Sequence, residues 1–156
     1  MPSPSNNPDT QYAAVEVLLQ RWLRARRKLL GYYTELVVAL QSEIDTADLT
    51  QRQQALCELL VDYISAGHFE VYHKLVNEAE SFADGSCELA ERLLPAIGDT
   101  TEVILAYEEK YGGDLGSQKK LKRDLSALGE VLESRFVLED QLIAGLHGRH
   151  RSAAKG

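Results

Sequence analysis

From Gln118 to Leu146 the apolar residues recur at three- and four-residue intervals: Leu121, Leu125, Leu128, Leu132, Phe136, Ile143 and Leu146. At 100° per residue they form one stripe, which marks a helix packed along one side. Arg135 and Glu139 fall inside that stripe, four residues apart and on the same side. A charge inside a core must be paired and hydrogen-bonded, because stripping it of water is otherwise too costly. The fold must therefore carry polar groups to these two residues from elsewhere in the chain.

A second segment has the same peculiarity. From Asp9 or Thr10, which can cap a helix, to about Gln41, the stripe is Val15, Leu19, Trp22, Leu29, Leu30, Tyr33, Val37 and Leu40, with Arg26 in its middle. Thr50-Gln51-Arg52-Gln53 reads as a capping box, opening a helix that runs to about Phe82. Its core face is Leu56, Leu60, Ile64, Val71 and Leu75, with Gly67 within it and His68 at its edge. A weaker segment starts near Cys87, is interrupted at Pro95 and resumes from Asp99 to Tyr111. The polar stretches SEIDTADL, ADGS and GGDLGS connect these segments, and neither an internal repeat nor an alternating strand pattern occurs. The pattern predicts an all-α, antiparallel four-helix bundle with short connections and a third segment broken at a proline. Residues 1–8 are predicted to be a disordered tail, 9–147 a single bundle domain and 148–156 a frayed basic tail.

The charges inside the stripes, Arg26, Arg135 and Glu139, together with His68, are expected to meet as one buried polar cluster. Such a cluster either fixes helix register or forms a recessed site open to a ligand. Glycine inside a helix costs about 1 kcal/mol relative to alanine, so Gly67 should gain something by lacking a side chain: a close helix approach, or room for the cluster. On the opposite face of the same helix, Asp62, Ser65, Phe69, Tyr72 and Val76 fall together. Apolar residues on that second face either lie under another helix or dock a partner. An acid, a hydroxyl and two aromatics suit an interface core with a polar rim.

Several functions are disfavoured. With 17 basic and 24 acidic residues the net charge is −7, which opposes sequence-independent nucleic-acid binding and suits a basic partner. The run RWLRARRK, residues 21–28, holds five basic residues. It reads as a solvated face with Arg26 turned inward, and its short extent weakens a nucleic-acid or anionic-membrane role. Cys57 and Cys87 match no disulfide framework or zinc spacing. No stretch is apolar enough to span a membrane, and the start lacks the parts of a signal peptide. A cytoplasmic protein with reduced thiols is expected. Glu70-Val71-Tyr72-His73 is a single Glu-x-x-His element where a di-iron bundle needs two. His147 and His150 read as surface residues, and no phosphate loop or paired nucleophile and base occurs. Neither enzyme chemistry, metal nor cofactor is expected.

Three stretches carry a family resemblance: RWLRARRKLL (21–30), LVDYISAGHFEVY (60–72) and SRFVLEDQLI (134–143). In order and spacing they resemble the Rsd/AlgQ family of bacterial anti-sigma factors, over roughly residues 12 to 146. The resemblance implies a helical bundle that binds region four of the primary sigma factor of RNA polymerase. It would withhold that factor from core polymerase and from the −35 promoter element as growth slows. It also implies stoichiometric binding without catalytic residues, and it makes Asp62, at the family's motif aspartate, the foremost interface candidate. Ser65, Phe69 and Tyr72 complete the expected partner-binding face. An adaptor docking a different protein, or a small-molecule bundle using Arg26, His68, Arg135 and Glu139, remains as the alternative.

Overall fold

The computed structural model describes residues 8–42, 45–82, 85–112 and 118–150. Five α-helices carry the fold: α1 (Pro8–Leu40), α2 (Thr46–Ala66), α3 (Tyr72–Phe82), α4 (Cys87–Tyr111) and α5 (Gln118–Leu146). A π-helical turn, Gly67–Val71, joins α2 to α3 without a break, and a 3₁₀ turn, Gly148–His150, follows α5. The described residues thus form four rods and no strand, an all-α four-helix bundle.

Side-chain bonds set the rod directions. Tyr33 near the end of α1 donates to the carbonyl of Leu125 near the start of α5, while Arg26 reaches Glu139. Tyr107 of α4 donates to Gln53 of α2 at 2.9 Å, and Arg135 of α5 donates to Thr101 of α4 at 2.7 Å, whereas Lys110 pairs with Asp124. Each rod is antiparallel to the two beside it. Between them Leu29, Leu36, Leu56, Leu60, Leu75 and Ile104 are among the side chains removed from water. Each such burial stabilises by about 1.5–3 kcal/mol.

Four details differ from the sequence expectation. The second rod starts one turn early: Asp45 caps it by accepting from the amide of Asp48 at 2.7 Å, while the Thr50 hydroxyl bonds back to the carbonyl of Thr46. The predicted break at Pro95 does not occur. α4 runs through it, because Pro95 lies on the exposed side where water can serve the carbonyl its missing N–H leaves free. In α1, Leu36 takes the core place expected of Leu30, which is 38% exposed. Residues 148–150, expected to fray, form the 3₁₀ turn, with His150 buried and stacked on Phe82 at 3.9 Å. Of the two predicted tails, residues 1–7 and 151–156 lie outside the described residues, and Pro8 opens α1.

His147, expected at the surface, is buried just past the end of α5. Its Nδ1 lies 2.8 Å from Glu78 of α3, its Nε2 faces Glu16 of α1, and its ring stacks on Tyr12. Ionised carboxylates only accept, so only the doubly protonated imidazolium donates to both. Burial works to lower the pKa of His147, but the hydrogen bonds to Glu78 and Glu16 outweigh it and raise it above the ordinary value. The cation also faces the negative end of α5.

A group with a raised folded pKa stabilises fully below its unfolded value, about 6.5, and loses that contribution as pH rises through the folded value. The urea midpoint should therefore fall as pH rises above about 6.5, and His147→Gln should flatten that fall. Equal slopes for wild type and variant would show that His147 does not link α1, α3 and α5 through its charge.

Candidate functional site

Glu139 is the hub of the interior. One carboxylate oxygen accepts from the Tyr63 hydroxyl at 2.6 Å and from Arg26 at 3.2 Å. The other accepts from the Tyr72 hydroxyl and from Arg135 Nε at 3.1 Å. Arg135 extends the network to Thr100 and Thr101 of α4 and donates to the Tyr72 oxygen at 2.9 Å. Arg26 donates to the Tyr63 oxygen at 3.0 Å and to exposed Asp140 at 2.7 Å, with its guanidinium 4.6 Å from the Phe136 ring centre. One carboxylate thus joins every rod of the bundle. Arg135 and Glu139 are wholly buried, and no buried polar atom of either lacks a partner.

Burial first, and then the Glu139 charge, raise the pKa of Tyr63 and of Tyr72, so both stay protonated and keep donating. Burial opposes the charge on Arg26, but Tyr63, Asp140 and Glu139 prevail and raise its pKa. The structure brings Arg26, Arg135 and Glu139 together as sequence patterning expects, but His68 is not among them. His68 is exposed, its ring edge-on to Phe69 at 4.8 Å. The places left over belong to Tyr63 and Tyr72.

The π turn causes this exchange. The amide of Tyr72 bonds to the carbonyl of Gly67, five residues back, so one extra residue enters the rod. Every residue after it is rotated relative to an unbroken α-helix. Tyr72, expected on the docking face with Phe69, turns inward and is 7% exposed; Phe69 sits on the turn and is 75% exposed. Gly67 is buried at the inner side of the turn. A Cβ there would lie 3.1 Å from Trp22 and 3.1 Å from the Tyr72 hydroxyl, so glycine admits both rings. Trp22 stacks on Tyr63 at 4.8 Å and donates to the Tyr63 carbonyl.

The outer surface of the same rod holds exposed Asp62, half-buried Ser65 and exposed Phe69. Asp62, Val61 and Glu58 face Glu108 of α4 across an open groove of about 530 Å³. This surface is acidic around Asp62 and carries one large aromatic ring open to solvent. A partner with basic groups and an apolar recess fits it. Sequence patterning places neither tyrosine in the network: Tyr72 is expected on the partner-binding face, and Tyr63 is not among the expected site residues. For Tyr63 the available signal was its position beside the core face; for Tyr72 there was none, since an α period points it outward.

The chain matches the family model described as regulator of RNA polymerase sigma(70) subunit, Rsd/AlgQ, over residues 1–147. A protein of Yersinia pseudotuberculosis serotype O:1b named regulator of sigma D is 35% identical over 130 residues, 81% of this chain and 77% of that one. Proteins of the same name from Yersinia enterocolitica and Salmonella paratyphi A are 34% and 35% identical, again over 81% of this chain, covering 78% and 79% of theirs. No solved structure matches.

Removing the hub leaves the wholly buried Arg135 without its carboxylate, while Arg26 keeps Asp140. Glu139→Ala should cost about 3–5 kcal/mol of stability, and Tyr72→Phe, which removes a hydrogen bond to a charge, about 1.5–3 kcal/mol. Asp62→Ala and Phe69→Ala, on the surface, should stay within about 0.5 kcal/mol of wild type. Urea denaturation measures all four, and an unchanged midpoint for Glu139→Ala would contradict the network.

Proposed function

The chain belongs to the Rsd/AlgQ family of regulators of the RNA polymerase sigma(70) subunit, and on that premise we propose that it is an anti-sigma factor that binds region four of the primary sigma factor. The observation that carries the proposal is the exposure of Phe69, 75% open to solvent on the same rod surface as Asp62 and Ser65. An aromatic ring costs free energy in water, and a protein interface recovers it. The acidic chain and the acids around Asp62 suit a basic, helix-turn-helix DNA-binding domain. Region four reads the −35 element and docks on core polymerase, so occupying it withholds the sigma factor from both. The action is stoichiometric: association alone regulates transcription, in the cytoplasm, without a cofactor.

The buried network supports this mechanism indirectly. It fixes the rods and holds the π turn in the register that projects Phe69. Tyr72 therefore contributes to the face through the fold, not through contact with the partner. The same interior gives no support to a small-molecule pocket, because Arg26, Arg135 and Glu139 are satisfied by hydrogen bonds within the protein and His68 lies outside the network.

Isothermal calorimetry of the full chain with isolated region four should give a 1:1 complex. Asp62→Ala should weaken it by about 1.5–3 kcal/mol, the range for a hydrogen bond to a charged group. Phe69→Ala should weaken it by about 2 kcal/mol or more, as for a buried aromatic anchor. Raising salt should slow association more than it changes dissociation. Absence of wild-type binding would sink the anti-sigma reading. Binding indifferent to both variants would keep the function and move the interface elsewhere.

A further inference from the structure

Apart from Arg26, the basic residues of the run on α1 have no role in the regulator just described. Arg21, Arg24, Arg27 and Lys28 are all exposed, and among the described residues none has a carboxylate partner. Elsewhere on the surface, Arg52 lies 3.0 Å from Asp48, Lys110 lies 2.6 Å from Asp124, and Arg123 also meets Asp124, whereas exposed Lys74, Arg92, Lys119, Lys120 and Lys122, like the strip, form no such bridge among the described residues. Four unpaired cations within eight residues of a chain with net charge −7 make a local field of opposite sign. The strip also borders an open groove of about 970 Å³ between the first half of α1 and the α3 rod.

That groove has an apolar floor and charged edges. Ala14, Val15 and Leu18 line it from α1, and Arg21 closes the α1 edge. Lys74, Asn77 and Ser81 face them from α3, with Glu70 and Glu80 on the same side. Its walls repeat at helical spacing, so the seam is as long as a few helical turns. Gln11, which also lines it, has a buried side-chain oxygen without a hydrogen-bond partner. A buried acceptor left unmet is costly, and a donor in the groove would relieve it. Val17, 57% exposed on α1, adds apolar surface next to the strip.

We infer that this groove and its arginine strip dock an acidic amphipathic helix of a partner protein. Its apolar side lies on Ala14, Val15 and Leu18, and its carboxylates lie along Arg21, Arg24 and Lys28. Glu70 and Glu80 repel carboxylates on the α3 side and so orient the helix. The mode is helix-in-groove recognition, in which two splayed helices accept a third. A nucleic acid fits less well. The strip from Arg21 to Lys28 spans only about 10 Å, and a long polyanion would run beyond it into the field of a −7 chain. A flat bilayer would touch the strip but leave the groove floor and Gln11 unfilled. The groove shares no lining residue with the one beside Asp62.

The test uses the full chain and a fluorescein-labelled helical peptide of about 14 residues, roughly 21 Å long, with leucine on one face and glutamate on the other. Fluorescence anisotropy should show binding that the double variant Arg21→Glu/Arg24→Glu weakens by at least about tenfold. Ala14→Trp, which fills the groove at an exposed position, should weaken it similarly. Asp62→Ala and Phe69→Ala should leave it unchanged, which separates this site from the proposed sigma-binding face. A peptide with lysine in place of glutamate should not bind. Circular dichroism establishes that every variant keeps its helix content. The inference is overturned if the leucine/glutamate peptide does not bind, or if binding ignores both groove variants. It is also overturned if single-stranded RNA or phosphatidylglycerol vesicles bind through Arg21 and Arg24 in preference to the peptide. Sedimentation showing a dimer that Ala14→Trp dissociates would assign the groove to a second copy of the chain instead.

Discussion

The Glu139 carboxylate is the interaction on which the rest of the bundle depends. Hydrophobic burial draws four amphipathic rods together but is indifferent to small slides and rotations between them. A wholly buried carboxylate is not indifferent. It must keep its donors, and here they come from α1, α2, α3 and from its own helix, with Arg135 carrying the contact on to α4. A shift of one rod by a single turn would strand a charge in the core. The network therefore trades part of the stability an apolar core would supply for a single register.

That register reaches the surface through the π turn. Tyr72 can donate to Glu139 only because the turn adds one residue between Gly67 and Val71. The same added residue leaves Phe69 facing water. Gly67 makes room for the arrangement, since Trp22 and Tyr72 both come within van der Waals contact of where a side chain would begin. The interior network and the proposed sigma-binding surface are thus two sides of one backbone irregularity. π turns recur at functional positions for this reason: they re-aim side chains without breaking the rod.

Charge is distributed unevenly over this frame. The acidic balance of the chain is concentrated away from α1, and the groove beside Asp62 is lined by Glu58 and Glu108. The first helix carries the opposite sign over two turns. Unlike-charged faces on one small bundle allow it to meet partners of unlike chemistry, and each face repels the other's partner. His147, held between Glu78 and Glu16, closes the end of the bundle next to the groove and ties α5 to both of the groove's walls.

The helical class, the four rods and the identity of the charges that had to be buried are legible along the chain. Those features are periodic and local: an apolar stripe, and Arg26, Arg135 or Glu139 interrupting it, can be read one helix at a time. The family followed from long strings such as Asp62 to Phe69. Which groups answer the buried charges depends on packing between helices. The α period placed His68 at the core edge and Tyr72 outside, and the π turn reversed them, because its extra residue is stabilised by Trp22 and Glu139 from other helices. Likewise Pro95 did not break α4, since packing along the opposite side of the helix outweighed one missing hydrogen bond. His147 reads as a surface residue from sequence, yet two carboxylates from distant segments enclose it. Local propensity is written along the chain, whereas the partners of a buried polar group are chosen by contacts between residues far apart in sequence.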